Sequence, residues 1–154
     1  MNYASTFFDH FHEVHDTSDK QTRPVIVFRR LGTPMAFNDA AWDRYAIGAD
    51  SKVTDPVTRA PARRNVFFKA RPGASPESVA MKIDTLQARG LICLVCNVAL
   101  NSFGSVYAAT VKRDVEEVRA DLKASLVPGA ILVPSGIYAL IRAQNAGCAF
   151  MQGT

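Results

Sequence analysis

The chain has 154 residues, of which 48% are hydrophobic and 21% are charged. This length suits a single domain, 1–154, and this apolar content excludes a disordered chain. Lys and Arg exceed Asp and Glu by only four charges, without a long basic run, so nucleic acid is not an expected partner. No apolar run reaches the roughly 18–20 residues of a membrane span, so no membrane partner is expected either.

The three cysteines are Cys93, Cys96 and Cys148. An odd number this small does not suit a disulfide scaffold and fits a reducing compartment. We therefore expect a cytoplasmic protein.

The first half of the chain predicts a helix, a strand and a second helix. Apolar residues recur at helical spacing from Tyr3 to Val14, which predicts an opening helix with one apolar face. The β-branched run at 24–28 has the composition of a buried strand. Asn38 can cap a short helix that ends near Tyr45.

Residues 48–76 form an irregular insertion that contains several prolines and arginines, among them Arg63 and Arg64. Loops of this length are typically lids, contact surfaces or disordered segments. The run 66–68, Val-Phe-Phe, is too apolar to be left in water. We therefore expect this segment to contact another copy of the chain.

The second half predicts alternating helices and strands. Ser75 is a good N-cap, and glycine, here Gly90, commonly ends a helix, so one helix is expected between these two residues. A turn with a helical beginning is expected at 97–104. The remaining predicted elements are strands at 91–96, 130–133 and 148–151 and helices at 114–123 and 137–145.

This alternation with continuously apolar strands predicts an α/β fold with a mainly parallel sheet covered by helices on both faces. Such domains normally open with a strand, whereas this chain opens with a helix. The first strand is therefore expected to be missing, which would leave a gap in the sheet unless residues 66–68, a neighbouring chain or residues upstream of Met1 fill it.

Cys96 is the sharpest candidate for chemistry, because it ends a predicted strand just before a turn into a helix. Ligands of open α/β sheets bind at this carboxyl edge, and a thiolate is favoured near helix N-termini. The alternative is a buried apolar cysteine, which is common. Cys93 and Cys148 are expected in the core.

A second junction of this kind lies at Ser135 and Gly136, on the same expected edge of the sheet. Ser135 can cap the next helix, and Gly136 lets a ligand approach the backbone. Simple capping remains the alternative. In the opening helix His10 and His12 point in opposite directions and only His12 and His15 are neighbours on one face, so no metal is expected.

Two segments of the second half resemble DsrE/DsrF-like proteins. Residues 89–100, RGLICLVCNVAL, are similar to their "helix, R-G, strand, V-C-N" segment, and residues 126–147 are similar to their "V-P-S-G, helix, R-x-Q-x-x-G" ending. The likeness covers about residues 75–154 and points to an uncharacterised branch. It implies a three-layer α/β/α, DsrE- or flavodoxin-like fold and a homo-oligomer, often a trimer or hexamer. It also implies sulfur relay through a persulfide on Cys96.

Three functions follow as hypotheses. The first is a sulfur carrier or sulfurtransferase-like protein that uses Cys96, helped by Asn97, Ser135, Gly136 and a basic residue of the insertion, Arg63 or Arg64. Its partner would be a sulfur donor or acceptor protein, and no cofactor is expected. The second is a non-enzymatic, oligomeric protein that binds a small anion in the same cleft. The third is a structural role alone.

Overall fold

The computed structural model of the chain describes residues 2–152, which form eight α-helices, three strands and one 3₁₀ segment. The strands are β1 Val25–Phe28, β2 Ile92–Cys96 and β3 Ala130–Val133, and the 3₁₀ segment is Arg30–Ala36. The helices are α1 Asn2–His15, α2 Asp39–Arg44, α3 Ile47–Asp50, α4 Pro76–Ala80, α5 Ile83–Ala88, α6 Asn97–Val111, α7 Val115–Ala124 and α8 Gly136–Asn145.

The sheet is parallel and has the order β1-β2-β3. Phe28 pairs with Val95, and Val95 pairs on its other side with Leu132. The parallel sheet predicted from the sequence is confirmed. The expected gap is not present among these strands, because β1 pairs directly with β2 and leaves no space for a strand between them.

The two faces of the sheet are buried to different extents. One face, the core face, packs against Phe8 of α1 and Ile83 and Leu86 of α5. Its members are Ile26, Phe28, Cys93, Val95, Ala130 and Leu132. The opposite face, the Cys96 face, consists of Val25, Val27, Ile92, Leu94, Cys96, Ile131 and Val133. Most of its side chains are half-buried, and Ile131 is 52% exposed. The structure is thus an α/β chain with a small parallel sheet.

A second apolar cluster forms between α2, α3, α6 and α7. Trp42, Tyr45, Tyr107, Phe37 and Ile47 are its largest fully buried members. The rings of Tyr45 and Tyr107 stack with their centroids 5.4 Å apart. Asn38 caps α2 as predicted, because its Oδ1 accepts the N–H of Ala41.

The insertion is irregular, as predicted, yet it packs into the core of its own chain. Its anchor is Asn65, which is fully buried. Asn65 Nδ2 donates to the carbonyls of Met35 and Phe37, both at 2.7 Å, and its Oδ1 accepts the N–H groups of Phe67 and Phe68. Residues 66–68 therefore pack against the two core clusters of their own chain, which removes the reason for expecting them to contact a second copy.

The helix expected between Ser75 and Gly90 is two helices. Ser75 caps α4 as predicted. Gly90 follows α5 with a positive φ of 111°, as predicted for a glycine that ends a helix. The helix breaks at Lys82, whose backbone is extended. The break allows the N–H groups of Ile83 and Asp84 to donate to the carbonyls of Phe67 and Phe68.

Three further expectations are corrected. The turn expected at 97–104 is the start of the fifteen-residue helix α6. No strand forms over 148–151, and Cys148 is exposed rather than in the core. The opening helix is confirmed, but Phe8 faces the core, while Tyr3 and Val14 of the predicted apolar face are 49% and 74% exposed.

Candidate functional site

Cys96 lies where β2 ends and α6 begins. It is the last residue of the strand and the N-cap of the helix, with φ −71° and ψ 112°. Its Sγ accepts the N–H of Ala99 at 3.4 Å. Only 6% of the residue is exposed. The sulfur therefore satisfies one of the free N–H groups of a long helix, where the partial positive charge of the helix is greatest.

Gly136, the first residue of α8, lies directly beside Cys96. A Cβ atom at Gly136 would be 3.4 Å from Cys96 Cβ and 3.0 Å from Arg29 Cβ. A side chain there would touch Cys96 at an ordinary contact distance but would crowd the stem of Arg29, which would have to shift by a few tenths of an ångström. The structure therefore brings Cys96 and Gly136 together at the carboxyl edge of the sheet.

Ser135 caps α8 from the same edge. Its Oγ accepts the N–H of Tyr138 at 3.1 Å, so the hydroxyl group is used in capping. The N–H groups of Gly136 and Ile137 are left without an intrahelical acceptor, as in the first turn of any helix. Two helix N-termini, those of α6 and α8, consequently meet near Cys96.

Arg29 is the basic residue of this site, and the sequence analysis missed it. It follows the last residue of β1, and its aliphatic stem packs over Gly136. Its guanidinium group forms no hydrogen bond or ion pair with residues 2–152. Its position could have been recognised, because a basic residue directly after a parallel strand must lie at the carboxyl edge.

Arg63 and Arg64, expected at the site, are used elsewhere. Arg63 pairs with Asp43 on α2. Arg64 pairs with Asp55 at 3.4 Å and donates to the carbonyl of Lys69. Neither forms a hydrogen bond or ion pair with Cys96 or Ser135 within the part of the chain that the structure describes. The insertion was expected to supply the cation of the site, but the basic residue beside Cys96 and Gly136 is Arg29.

Asn97 begins α6 immediately after Cys96 and is half-buried. Its Oδ1 is buried and has no hydrogen-bond partner among residues 2–152, and the same holds for Asn101 one turn later. A buried acceptor without a donor is costly. This side chain suits a ligand that brings a donor group.

The other two cysteines have different surroundings. Cys93 is fully buried on the core face, and its burial raises the pKa of the thiol to about 12. Cys148 is exposed beyond the end of α8. Cys93 and Cys96 point to opposite faces of the sheet, so the C-x-x-C spacing does not form a redox pair here.

Residues 2–152 contain no group of three or more His, Cys, Asp or Glu side chains arranged to hold a metal ion. Over the same residues, none of the helices has the length and apolar composition that crossing a membrane requires.

Comparison of the chain with family models, with curated proteins and with solved structures finds no match. Function must therefore be inferred from the geometry of these residues.

Proposed function

We propose that this chain is a sulfur carrier in which Cys96 accepts a sulfane sulfur as a persulfide and passes it on. The observation that carries the proposal is the position of Cys96 Sγ. It accepts a backbone N–H at the start of α6, beside the start of α8 and the stem of Arg29. This agrees with the role that the resemblance to DsrE/DsrF-like proteins implies for Cys96.

Positive charge lies around the Cys96 site. Each helix N-terminus carries the equivalent of roughly half a positive charge. Arg29 adds a guanidinium cation that no carboxylate of residues 2–152 neutralises. Cys93 lies on the opposite face of the sheet, where burial raises the pKa of its thiol to about 12.

The transfer is a thiolate exchange that needs no oxidant. The Cys96 thiolate attacks the outer sulfur of a donor persulfide, R–S–SH. A new S–S bond forms on Cys96 while the donor's S–S bond breaks and R–S⁻ leaves. The outer sulfur keeps its proton, and the unpaired Oδ1 of Asn97 is the acceptor we assign to that S–H group. Delivery to an acceptor thiolate is the same step in reverse.

The surroundings of Cys96 suit exchange with a donor or acceptor protein. Cys96 itself is 6% exposed, but Val98 and Ile137, the second residues of α6 and α8, are 60% and 61% exposed. These apolar side chains would contact a docked partner at the mouth of the site. A reducing compartment such as the cytoplasm would keep the carrier thiol free.

The proposal is tested by mapping persulfides. C148S removes the exposed thiol, and the C148S protein is incubated with glutathione persulfide, labelled with a persulfide-selective alkylating reagent and digested. Both cysteines lie on the tryptic peptide 90–112, and fragment-ion sequencing of this peptide should place the added sulfur on Cys96 and not on Cys93. Absence of sulfur from Cys96, or equal loading of Cys93, would reject the carrier function.

The second candidate is a non-enzymatic protein that binds a small anion at the same edge. It is favoured by the unpaired guanidinium of Arg29. Sulfate titrated into the protein and followed by amide chemical shifts would test it. R29Q should abolish the shifts, and R30Q is the control, because Arg30 is exposed and adjacent. Sulfate binding that C96S retains, together with an absence of persulfide, would favour this candidate over the carrier.

The assembly state that the resemblance implies, a trimer or hexamer, is also a proposal. Its support in the fold is α8, where Ile137, Tyr138 and Ile141 form an exposed apolar stripe. Ile131 is exposed on the sheet face against which α8 begins. Each of the four side chains is at least 51% exposed, and together they present on the order of 400 Å² of apolar surface.

A further inference from the structure

A cleft of about 330 Å³ lies between the 3₁₀ segment, α2, the end of α3 and α6. Its walls are apolar, formed mainly by Met35, Trp42, Phe67 and Phe103. The rings of Trp42 and Phe67 lie 6.1 Å apart. None of these residues belongs to the Cys96 site, so the cleft is a separate feature of the molecule.

The rim of the cleft carries one charge of each sign. Asp50 ends α3, and Lys52 follows two residues later with a positive φ of 54°. Both are exposed, and neither forms an ion pair with the other or with any residue in 2–152. Ser51, between them, also lines the cleft. Two opposite charges without ion-pair partners, beside apolar walls, are complementary to a ligand that carries an anionic group, a cationic group and an apolar group.

The geometry points to a binding site for a free amino acid with a large apolar side chain. The side chain lies among Met35, Phe67 and Phe103, above the buried floor formed by Trp42. The carboxylate pairs with Lys52, and the ammonium group pairs with Asp50.

The size of the cleft agrees with this ligand. At the roughly 30 Å³ that one water takes in the liquid, the cleft holds about ten non-hydrogen atoms, close to one aromatic amino acid. Small-molecule sites are typically of this size, apolar, and provided with a few polar groups that fix orientation. A ligand with one charge only would leave the opposite rim charge unused.

Trp42 provides the measurement, because it is the sole tryptophan of the chain and its Nε1 donates to the carbonyl of Pro34 at 3.0 Å. L-phenylalanine is titrated into the full chain, and the indole N–H resonance and the amide resonances of Ser51 and Lys52 are followed. We expect changes in these chemical shifts that saturate at millimolar concentrations of L-phenylalanine.

Variants at the rim test the assignment of the charges. K52M and D50N should each weaken binding about threefold, the size expected of one exposed ion pair. The controls are K112M and D16N, which change exposed residues of the same types away from the cleft, and Lys112 has a positive φ like Lys52. These controls should bind like the wild type.

Two single-charge analogues complete the test. Phenylacetate and phenethylamine should each bind more weakly than phenylalanine, because each lacks one of the two ion pairs. The inference is overturned if phenylalanine causes no saturable shift up to its solubility limit. It is also overturned if either analogue binds as tightly, or if the controls weaken binding as much as K52M and D50N.

Discussion

Arg29 is the basic residue whose side chain lies beside Gly136, next to Cys96. Its stem contacts Gly136, and its guanidinium lacks a carboxylate partner in the described part of the chain. We expect R29Q in a C148S background to slow iodoacetamide labelling of Cys96 about two- to fivefold, corresponding to at most ~1 kcal/mol from one partly exposed charge. Peptide mapping of the labelled protein measures this rate.

The neighbouring variant R30Q provides the control and should label like the parent. The difference between R29Q and the parent should shrink in about 1 M salt, where the screening length falls to roughly 3 Å. Equal labelling rates for R29Q and R30Q at low salt would show that Arg29 does not act on the sulfur.

Asp55 gives a second prediction at this scale. The N–H groups of Val57 and Thr58 and the guanidinium of Arg71 hold its carboxylate, and they lower its pKa to about 2. The folded state therefore gains stability above the unfolded pKa of about 4 and loses it as the pH falls toward 2. D55N should lower the free energy of unfolding at pH 7. This loss relative to the wild type, the D55N deficit, should become smaller below pH 4.

Urea denaturation at several pH values measures the deficit. D43N is the control, because Asp43 is half exposed and pairs with the exposed Arg63, so its effect should be small at every pH. A D55N deficit that stays constant from pH 7 to pH 2.5 would contradict the ionic role of Asp55.

At the residue scale, the sequence predicted a residue's position correctly where that position depends on its neighbours in the chain. The strand-end position predicted for Cys96 and the helix cap predicted for Ser135 are both present, and the two residues are the N-caps of α6 and α8. Arg63 and Arg64 were misplaced because their positions depend on long-range ion pairs with Asp43 and Asp55. Asn65 was missed for the same reason, since nothing near it in the chain reveals the carbonyls that it holds.

At the element scale, the packing of α3 depends on Gly48. A Cβ atom there would lie 2.1 Å from the carbonyl oxygen of Ala62, which is backbone and cannot move aside. G48A should therefore lower the free energy of unfolding by about 1–3 kcal/mol, the cost usual for overpacking. The melting temperature should fall by roughly 2–4 °C for each kcal/mol lost.

Gly32 provides the matched control. Its added Cβ would meet nothing within 4 Å, so G32A should change stability by less than about 0.5 kcal/mol. Similar urea midpoints for G48A and G32A would contradict the close approach of α3 to residue 62.

The helix and strand that were predicted incorrectly share one cause: their structure depends on tertiary contacts. The apolar spacing of residues 79–86 predicts one helix, yet the carbonyls of Phe67 and Phe68 bind the N–H groups of Ile83 and Asp84 and stabilise a break. The apolar run 148–151 has strand composition, but no neighbouring strand pairs with it in the described structure. Capping residues such as Asn38 and Ser75 were reliable because their bonds are local.

At the scale of the whole molecule, the mixed α/β character and the parallel sheet followed from alternation and strand composition. The order of the strands did not. The expected gap assumed that the sheet needed a further strand between its neighbours, whereas β2 is paired on both sides. Strand adjacency depends on contacts between distant segments, which a single sequence does not reveal.

Self-association is the prediction that belongs to this scale. The stripe of Ile137, Tyr138 and Ile141 on α8 is the surface we expect a second copy to cover. The wild-type chain should scatter light as a multiple of its own mass at micromolar concentration. I141K should be a monomer, because association would bury an unpaired charge.

The control for this prediction is V14K, a substitution at an exposed apolar residue of α1, outside the stripe. It should assemble like the wild type. A monomeric wild type, or an I141K protein that assembles like it, would contradict association through α8.

The central claim, that Cys96 carries sulfane sulfur, is tested most directly by releasing that sulfur. After loading with glutathione persulfide and removal of the donor, cyanide converts each protein persulfide to thiocyanate and returns the cysteine thiolate. C148S should release one thiocyanate per chain, and C96S/C148S, which keeps Cys93, should release none. Equal release from the two proteins, or no release from C148S, would contradict the claim.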